Sequence, residues 1–279
     1  MIKEWANYLV TIKGYSRNTS SSYEKDVRAF AAHMRTQRAD ARWSNITRSD
    51  IDIYIISMKE AGKKPATINR HLAAISSIYN YMKREGYDIE NPARYESRQP
   101  IAERIPNTIP IEDIKKAISQ VDQNMGLIIE TLLMTGIRIQ ELLDLTPRDL
   151  RPQDNTIKIK GKGGKERHVY TTPENMNHLL KYTGPLSKFE PIFIWWTQRE
   201  IRAAMYNAFK GITTARQVSP HAIRHTYATE MAKAGMQAPT LQRLLGHTQL
   251  KTTQRYIDFG QLQGRDEYNR YTNQINSTL

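Results

Sequence analysis

A chain of 279 residues with a formal net charge of +13 and a pI near 9.7 is long enough for two cores and basic enough to seek a polyanion. The absence of cysteine excludes disulfides, cysteine-ligated zinc and a thiol nucleophile. No run of about 18 apolar residues occurs and MIKEWANYLV lacks a signal-peptide core, so a cytoplasmic protein with no membrane partner is expected. The positive balance runs through both halves of the chain, which favours nucleic acid over a membrane surface.

In chain order, Ile2, Trp5, Leu9 and Ile12 fall at helical spacing and Gly14 breaks the pattern. Ser16 or Asn18 is expected to cap a second helix with Tyr23, Val27, Phe30 and Met34 on its apolar face. Ser49 or Asp50 should cap a third, IDIYIISMKEAG, ending at Gly62. Pro65 introduces a fourth, whose core face includes Ile68, Leu72, Ile75, Ile78, Tyr79 and Met82. Together these make a small all-α domain over residues 1–97. Four prolines between residues 92 and 110 mark a linker, set at residues 98–110, and a second domain over residues 111–279.

Helical spacing resumes in IEDIKKAISQV and MGLIIETLLMTG, which Gly136 interrupts ahead of a helix carrying Leu142, Leu143 and Leu145. The period then changes to two: TIKIKGKGGKERHVYTT alternates about a glycine-rich turn and predicts a β-hairpin with its tip at Gly161 to Gly164. PIFIWW reads as a third short strand or the approach to a helix. Helices follow in REIRAAMYNAFKGI, HAIRHTYATEMAKAG and TLQRLLGH, and the polar tail from Gln261 closes the chain. The expected fold is mainly α with a small β-sheet.

Chemistry concentrates after Ser219. His221 and Arg224 leave one helix face together, His247 ends an apolar helix at LLGH, and Tyr256 follows nine residues later. A phenol with an unperturbed pKa of about 10 is a poor nucleophile unless cations or a base assist it, and these neighbours can supply both. Arg138, next to Gly136-Ile137, either presents its fork of donors to two phosphate oxygens or pairs with Glu141. The hairpin tip GKGGKER lacks the spacing of a nucleotide-binding P-loop and offers Lys162 and Lys165 as mobile lysines. His221 and His225 stand four apart, but HAIRH lacks the glutamate of a zinc-protease motif and places Arg224 between the ligands, so no metal is expected and His225 reads as a packing residue.

TGIRIQEL, GKGGKER, HAIRHTYAT, LLGH and TTQRY occur in the order and spacing of tyrosine recombinases, and the chain resembles the Xer-type members. YSRNTSSSYEKDVRAF and PATINRHLAAISSIYNYM also resemble that family's N-terminal domain, so the likeness runs through nearly the whole chain. The resemblance implies a four-helix SAM-like core-binding domain followed by a catalytic domain. It assigns Arg138 and Arg224 to a phosphate clamp, Lys162 to protonation of the leaving 5′-oxygen, His221 and His247 to the histidine positions, with His221 assisting removal of the phenolic proton, and Tyr256 to nucleophilic attack. No cofactor is implied. It further implies a clamp on double-stranded DNA with specific core sites, groove reading by Arg17, Thr67, Asn69 and Arg70, DNA contact from Lys165, and a ring of four protomers, alike or of two kinds, joined through the C-terminal tail. Dimer resolution and mobile-element integration are both open to such a protein. An inactive DNA-binding regulator and a type IB topoisomerase are the alternatives.

Overall fold

All four amphipathic stripes of the first hundred residues fold as helices, and the reason is visible at their ends as well as on their faces. The computed structural model describes residues 1–94, 98–101, 106–161, 164–184, 186–247 and 249–261, and the chain divides into two units, Met1–Glu103 and Arg104–Leu279. The first contains α1 (Ile2–Thr11), α2 (Arg17–Gln37), α3 (Arg48–Glu60) and α4 (Pro65–Arg84). Ser16 caps α2 by accepting the Thr19 N–H at 3.1 Å. The cap of α3 falls earlier than Ser49 or Asp50. Thr47 accepts the Asp50 N–H, and the Asp50 carboxylate accepts the Thr47 N–H at 2.7 Å, a reciprocal box that satisfies two otherwise orphaned donors.

Trp5, Phe30, Ile51, Ile68, Ile75 and Tyr79 form the centre of this unit with almost no exposure. Each such side chain contributes about 1.5–3 kcal/mol by leaving water. One carboxylate is buried among them. Asp26 Oδ1 lies 3.2 Å from Arg70 Nη2 and 3.1 Å from His71 Nε2, and Tyr54 OH lies 2.9 Å from His71 Nδ1. Burial, then the charges of Arg70 and Lys63, push His71 down to about 4, so the ring is neutral. It therefore accepts the Tyr54 hydroxyl at Nδ1 and carries its own proton on Nε2, the nitrogen that faces Asp26.

The second unit holds α5 (Ile111–Ser119), α6 (Gln123–Thr135), α7 (Ile139–Leu143), α8 (Pro173–Thr183), α9 (Gln198–Ala208), α10 (Pro220–Lys233), α11 (Ala238–Leu245) and α12 (Leu250–Gln261). Strands β1 (Leu150–Arg151), β2 (Thr156–Lys160) and β3 (Glu166–Tyr170) form an antiparallel sheet in that order. The expected hairpin is β2–β3, registered with Lys160 opposite Glu166 and Ile159 opposite Arg167. Helix α6 is apolar nearly all round and is the spine of the core, burying Met125, Ile128, Ile129 and Leu132. Against it packs α10, which also packs on α12. Thr226 of α10 fixes the entry to this unit, accepting the Ile109 N–H at 2.8 Å and donating to the Ile109 carbonyl at 3.1 Å.

Of the two readings of PIFIWW the approach to a helix holds: residues 191–196 are a turn leading into α9 that buries Ile192 and Phe193, and the Ile192 N–H donates to the Leu145 carbonyl at 2.7 Å. The third strand is instead the two-residue β1. Helix α8 was not expected, because its inward side carries few apolar residues, chiefly Met176 and Leu179. What starts it is local: Thr172 caps and Pro173 occupies the first turn. Among the described residues no helix is long and apolar enough to cross a membrane.

Candidate active site

Gly136 ends α6 in the left-handed region at φ +61°, where a Cβ would collide with the Tyr227 ring. The chain then turns Ile137 into the core and leaves Arg138 at the cap of α7. The Glu141 carboxylate, 8% exposed, accepts the Arg138 N–H at 2.8 Å and Arg138 Nη1 at 2.9 Å. It also takes both terminal nitrogens of Arg167 from β3, at 2.9 and 2.8 Å. Burial alone would raise the Glu141 pKa; hydrogen bonds from Arg167 and Arg138 outweigh it and hold the carboxyl below its ordinary value. The pairing with Glu141 and the presentation of a fork are thus not rivals, since the carboxylate fixes Arg138 while its side chain stays 44% exposed.

Three arginines converge on the end of α11. Arg167 Nε donates to the Leu244 carbonyl at 2.8 Å, Arg224 Nη2 to Leu245 at 2.6 Å and Arg138 Nη2 to Gly246 at 3.0 Å. These carbonyls have no helical partner of their own, because the helix stops at Gly246 in the left-handed region at φ +63°. They also lie at the negative end of the helix dipole. For Arg224 these neutral acceptors orient the guanidinium without cancelling its charge, whereas Arg138 and Arg167 share the Glu141 carboxylate as well. Arg224, 1% exposed, completes its anchorage on the Gly136 carbonyl at 2.6 Å. Its burial and the nearby Arg138 lower its pKa to about 10, so it stays cationic at neutral pH in a place where the charge is costly.

Tyr256 lies in this cationic corner, 2% exposed on α12. His225 Nδ1 is 2.6 Å from its hydroxyl. The His247 ring stacks on the phenol at 6.3 Å between centroids, and His247 Nδ1 is held by Thr253 Oγ1 at 2.9 Å. His221 lies on the exposed rim, its ring edge-to-face with His225 at 4.2 Å. Burial first, and then neighbouring positive charge, lowers all three imidazoles: His225 to about 4, His247 to about 3, and His221 below its ordinary value. Burial raises the phenol against the opposing pull of Arg224 and Arg255. Neutral histidines, a protonated phenol and fixed arginines thus meet in one corner, a set that can take an anion beside a phenol.

The remaining expected site residues fall as follows. Lys162 lies outside the described residues, and Lys165 is exposed beside the hairpin tip. Arg17 is exposed at the first residue of α2, Thr67 is half-buried in α4, and exposed Arg70 is tethered by Asp26. Asn69 uses both ends of its amide on Gln99, donating to its carbonyl at 2.9 Å and accepting its N–H at 2.7 Å. Around these candidates the structure gathers Glu141, expected only as a partner of Arg138, His225, read as a packing residue, and Arg167 and Thr253, which spacing had not singled out. For His225 a signal existed, its place four residues after His221, but nothing in that spacing says that α12 lies against it.

Residues 107–261 match the family model described as Phage integrase family, and residues 2–86 match that of Phage integrase, N-terminal SAM-like domain. The first match alone covers more than half of the sequence, and the chain belongs to the phage integrase family. It is a site-specific tyrosine recombinase, a DNA-binding, strand-transferring enzyme. Tyrosine recombinase XerD of Listeria innocua is 28% identical over 290 aligned positions, covering 97% of this chain and 98% of the relative. Tyrosine recombinase XerC of Listeria welshimeri is 29% identical over 91% of each chain. The fold is shared with the XerH recombinase bound to difH in a pre-cleavage complex, at TM-score 0.71 and 20% identity over 92% of this chain and 80% of that one. It is shared too with the Tn1549 transposon integrase in complex with transposon right end DNA, at TM-score 0.74 and 20% identity over 97% and 99%.

Proposed function

We propose that the chain exchanges strands between two copies of a short duplex site, as an Xer-type recombinase, through a 3′-phosphotyrosyl intermediate formed by Tyr256. The convergence of Arg138, Arg224 and Tyr256 around the end of α11 carries this reading. Attack by the phenol on a backbone phosphorus places extra negative charge on the phosphoryl oxygens, and guanidinium groups already oriented by main-chain carbonyls and, for Arg138, by Glu141 stabilise it without reorganising. The 5′-oxygen leaves as a hydroxyl, protonated by Lys162 from the hairpin that β2 and β3 carry. The linkage keeps the energy of the phosphodiester, so another strand's 5′-hydroxyl reseals it with no cofactor consumed. The imidazole of His247 packs on the nucleophile's ring and His221 faces the incoming backbone. In the first unit, Arg17, Thr67 and Arg70 contact the duplex, Asn69 serves to hold residue 99, and Lys165 adds a phosphate contact at the hairpin.

Nicked synthetic duplexes test the chemistry. A detergent-stable protein–DNA adduct bearing a free 5′-hydroxyl, formed equally in the presence of a chelator, is expected; attachment through a 5′-phosphate, or no adduct on any fragment of a randomised library, refutes the reading.

We also assign residues 262–279, outside the described residues, to exchange between neighbouring protomers in a closed ring of four, since head-to-tail donation is the arrangement that closes without leaving an unpaired end. Deleting them should preserve binding to one site and abolish recombination between two. Recombination at the undiminished rate rejects the exchange.

A further inference from the structure

Among the described residues, the side chain hydrogen-bonded to the Tyr256 hydroxyl is neither of the histidines expected to handle protons. His225 Nδ1 lies 2.6 Å from the phenol oxygen. His247 presents its ring face to Tyr256 and commits Nδ1 to Thr253. His221 meets His225 by ring contact and makes no hydrogen bond to Tyr256. We propose that His225 is the group that takes the phenolic proton of Tyr256 during strand cleavage and returns it during resealing, an assignment that rests on Tyr256 being the nucleophile.

The tautomer follows from the hydrogen bond. With the phenol protonated and the imidazole neutral, the O–H donates to Nδ1, and the ring's own proton resides on Nε2. In cleavage the O–H bond breaks as Nδ1–H forms, the Tyr256 oxygen bonds to phosphorus, and the P–O5′ bond breaks with its proton supplied by a separate acid. In resealing the 5′-hydroxyl oxygen bonds to phosphorus and its proton returns to that acid, the P–O bond to Tyr256 breaks, and Nδ1–H gives its proton back to the phenolate, so His225 ends as it began.

Timing is set by the same arginines that bind phosphate. Without DNA, burial, then His221, Arg224 and Arg255, hold the His225 ring at about 4, while burial keeps the phenol protonated. Transfer to Nδ1 is then strongly uphill, and the nucleophile is idle. A phosphate seated on Arg138 and Arg224 offsets their positive field, and bond formation to phosphorus removes the phenol oxygen's hold on its proton. Both changes arrive only with substrate, so the proton moves together with the attack.

The test uses full-length protein and a nicked duplex carrying a half-site recovered by sequencing DNA trapped on the wild type. His225→Asn can still accept the phenol hydrogen bond but cannot carry the proton. Its cleavage rate is expected to fall about 100-fold or more, with DNA affinity unchanged and no recovery on a 5′-bridging phosphorothiolate duplex, whose leaving thiolate needs no acid. In a Tyr256→Phe background, ligation of an oligonucleotide ending in a 3′-p-nitrophenyl phosphate should proceed at the same rate with and without the added His225→Asn change, because p-nitrophenolate leaves without a proton. Cleavage by His225→Asn at the wild-type rate, or a p-nitrophenyl ligation slowed as much as cleavage, overturns the proposal; a misfolded site slows both and counts the same way, and His225→Gln repeats the comparison with a longer side chain. An adduct persisting in Tyr256→Phe alone overturns the nucleophile assignment instead.

Discussion

Tyr256→Phe should form no covalent adduct with DNA at any time or concentration, a loss of at least about 10⁴-fold, because in the proposed reaction the phenol oxygen is the atom that bonds to phosphorus and nothing adjacent can replace it. The neighbouring imidazoles are neutral and could attack only through nitrogen, but His225 points Nδ1 at the phenol and His247 is committed to Thr253. The variant should fold. Tyr256 contributes its ring to a small core with Tyr227, Leu241 and Leu245, which phenylalanine fills equally well. The lost hydrogen bond costs about 1 kcal/mol, partly offset because the hydroxyl no longer has to be buried. Gel analysis of nicked-substrate reactions, beside urea melts of both proteins, checks the two halves together: residual adduct above about 10⁻⁴ of wild type contradicts the assignment.

Arg224 should be the most damaging arginine to change, and in two separable ways. Arg224→Lys keeps a charge but loses the planar fork that spans the carbonyls of Gly136 and Leu245. Cleavage should fall by about 10²–10³-fold through the loss of an oriented donor in the transition state. Arg224→Ala should in addition destabilise the second unit by about 2–4 kcal/mol, as two buried carbonyls lose their donors at about 1–3 kcal/mol each and the cost of burying a cation is recovered. The sign of the charge effect is fixed by its lowered pKa. A base whose folded pKa lies below the unfolded value opposes folding wherever it is charged, here throughout the range below about 10. An anion in the site relieves that opposition, so phosphate-bearing DNA should raise the melting temperature of the wild type more than that of Arg224→Ala. Unchanged urea midpoints for Arg224→Ala remove the structural half of this account, and unchanged cleavage by Arg224→Lys removes the catalytic half.

Much of this fold is legible because its helices advertise themselves. Ile68, Leu72, Ile75, Ile78, Tyr79 and Met82 lie on one stripe of α4, and all six are buried. Gly136 and Gly246 mark helix ends by a conformation that other residues adopt at a cost. Where the period is short or the inward face sparse, the signal fails. Helix α8 has few apolar residues to show, β1 is two residues long, and the apolar run at residues 191–196 is a turn that buries only Ile192 and Phe193 while Ile194 and Trp195 stay exposed. At the site, periodicity puts His221, Arg224 and His225 on known faces of α10 but contains no distance to α12. His225 and Tyr256 are 31 residues apart, and Arg167 and Glu141 are 26 apart. Such partners follow from how elements pack, which local spacing does not encode.

The arginines proposed to hold phosphate are fastened to main-chain carbonyls at the end of α11, and Arg224 also ties that end to Gly136. They belong to the skeleton as much as to the reaction. A descendant of this chain that stopped cutting DNA would still need Arg224 to close its second unit, and selection for folding alone would retain it. Whether such a relative remains a recombinase is therefore better judged from Tyr256 and the hairpin lysine than from the arginine that looks most indispensable.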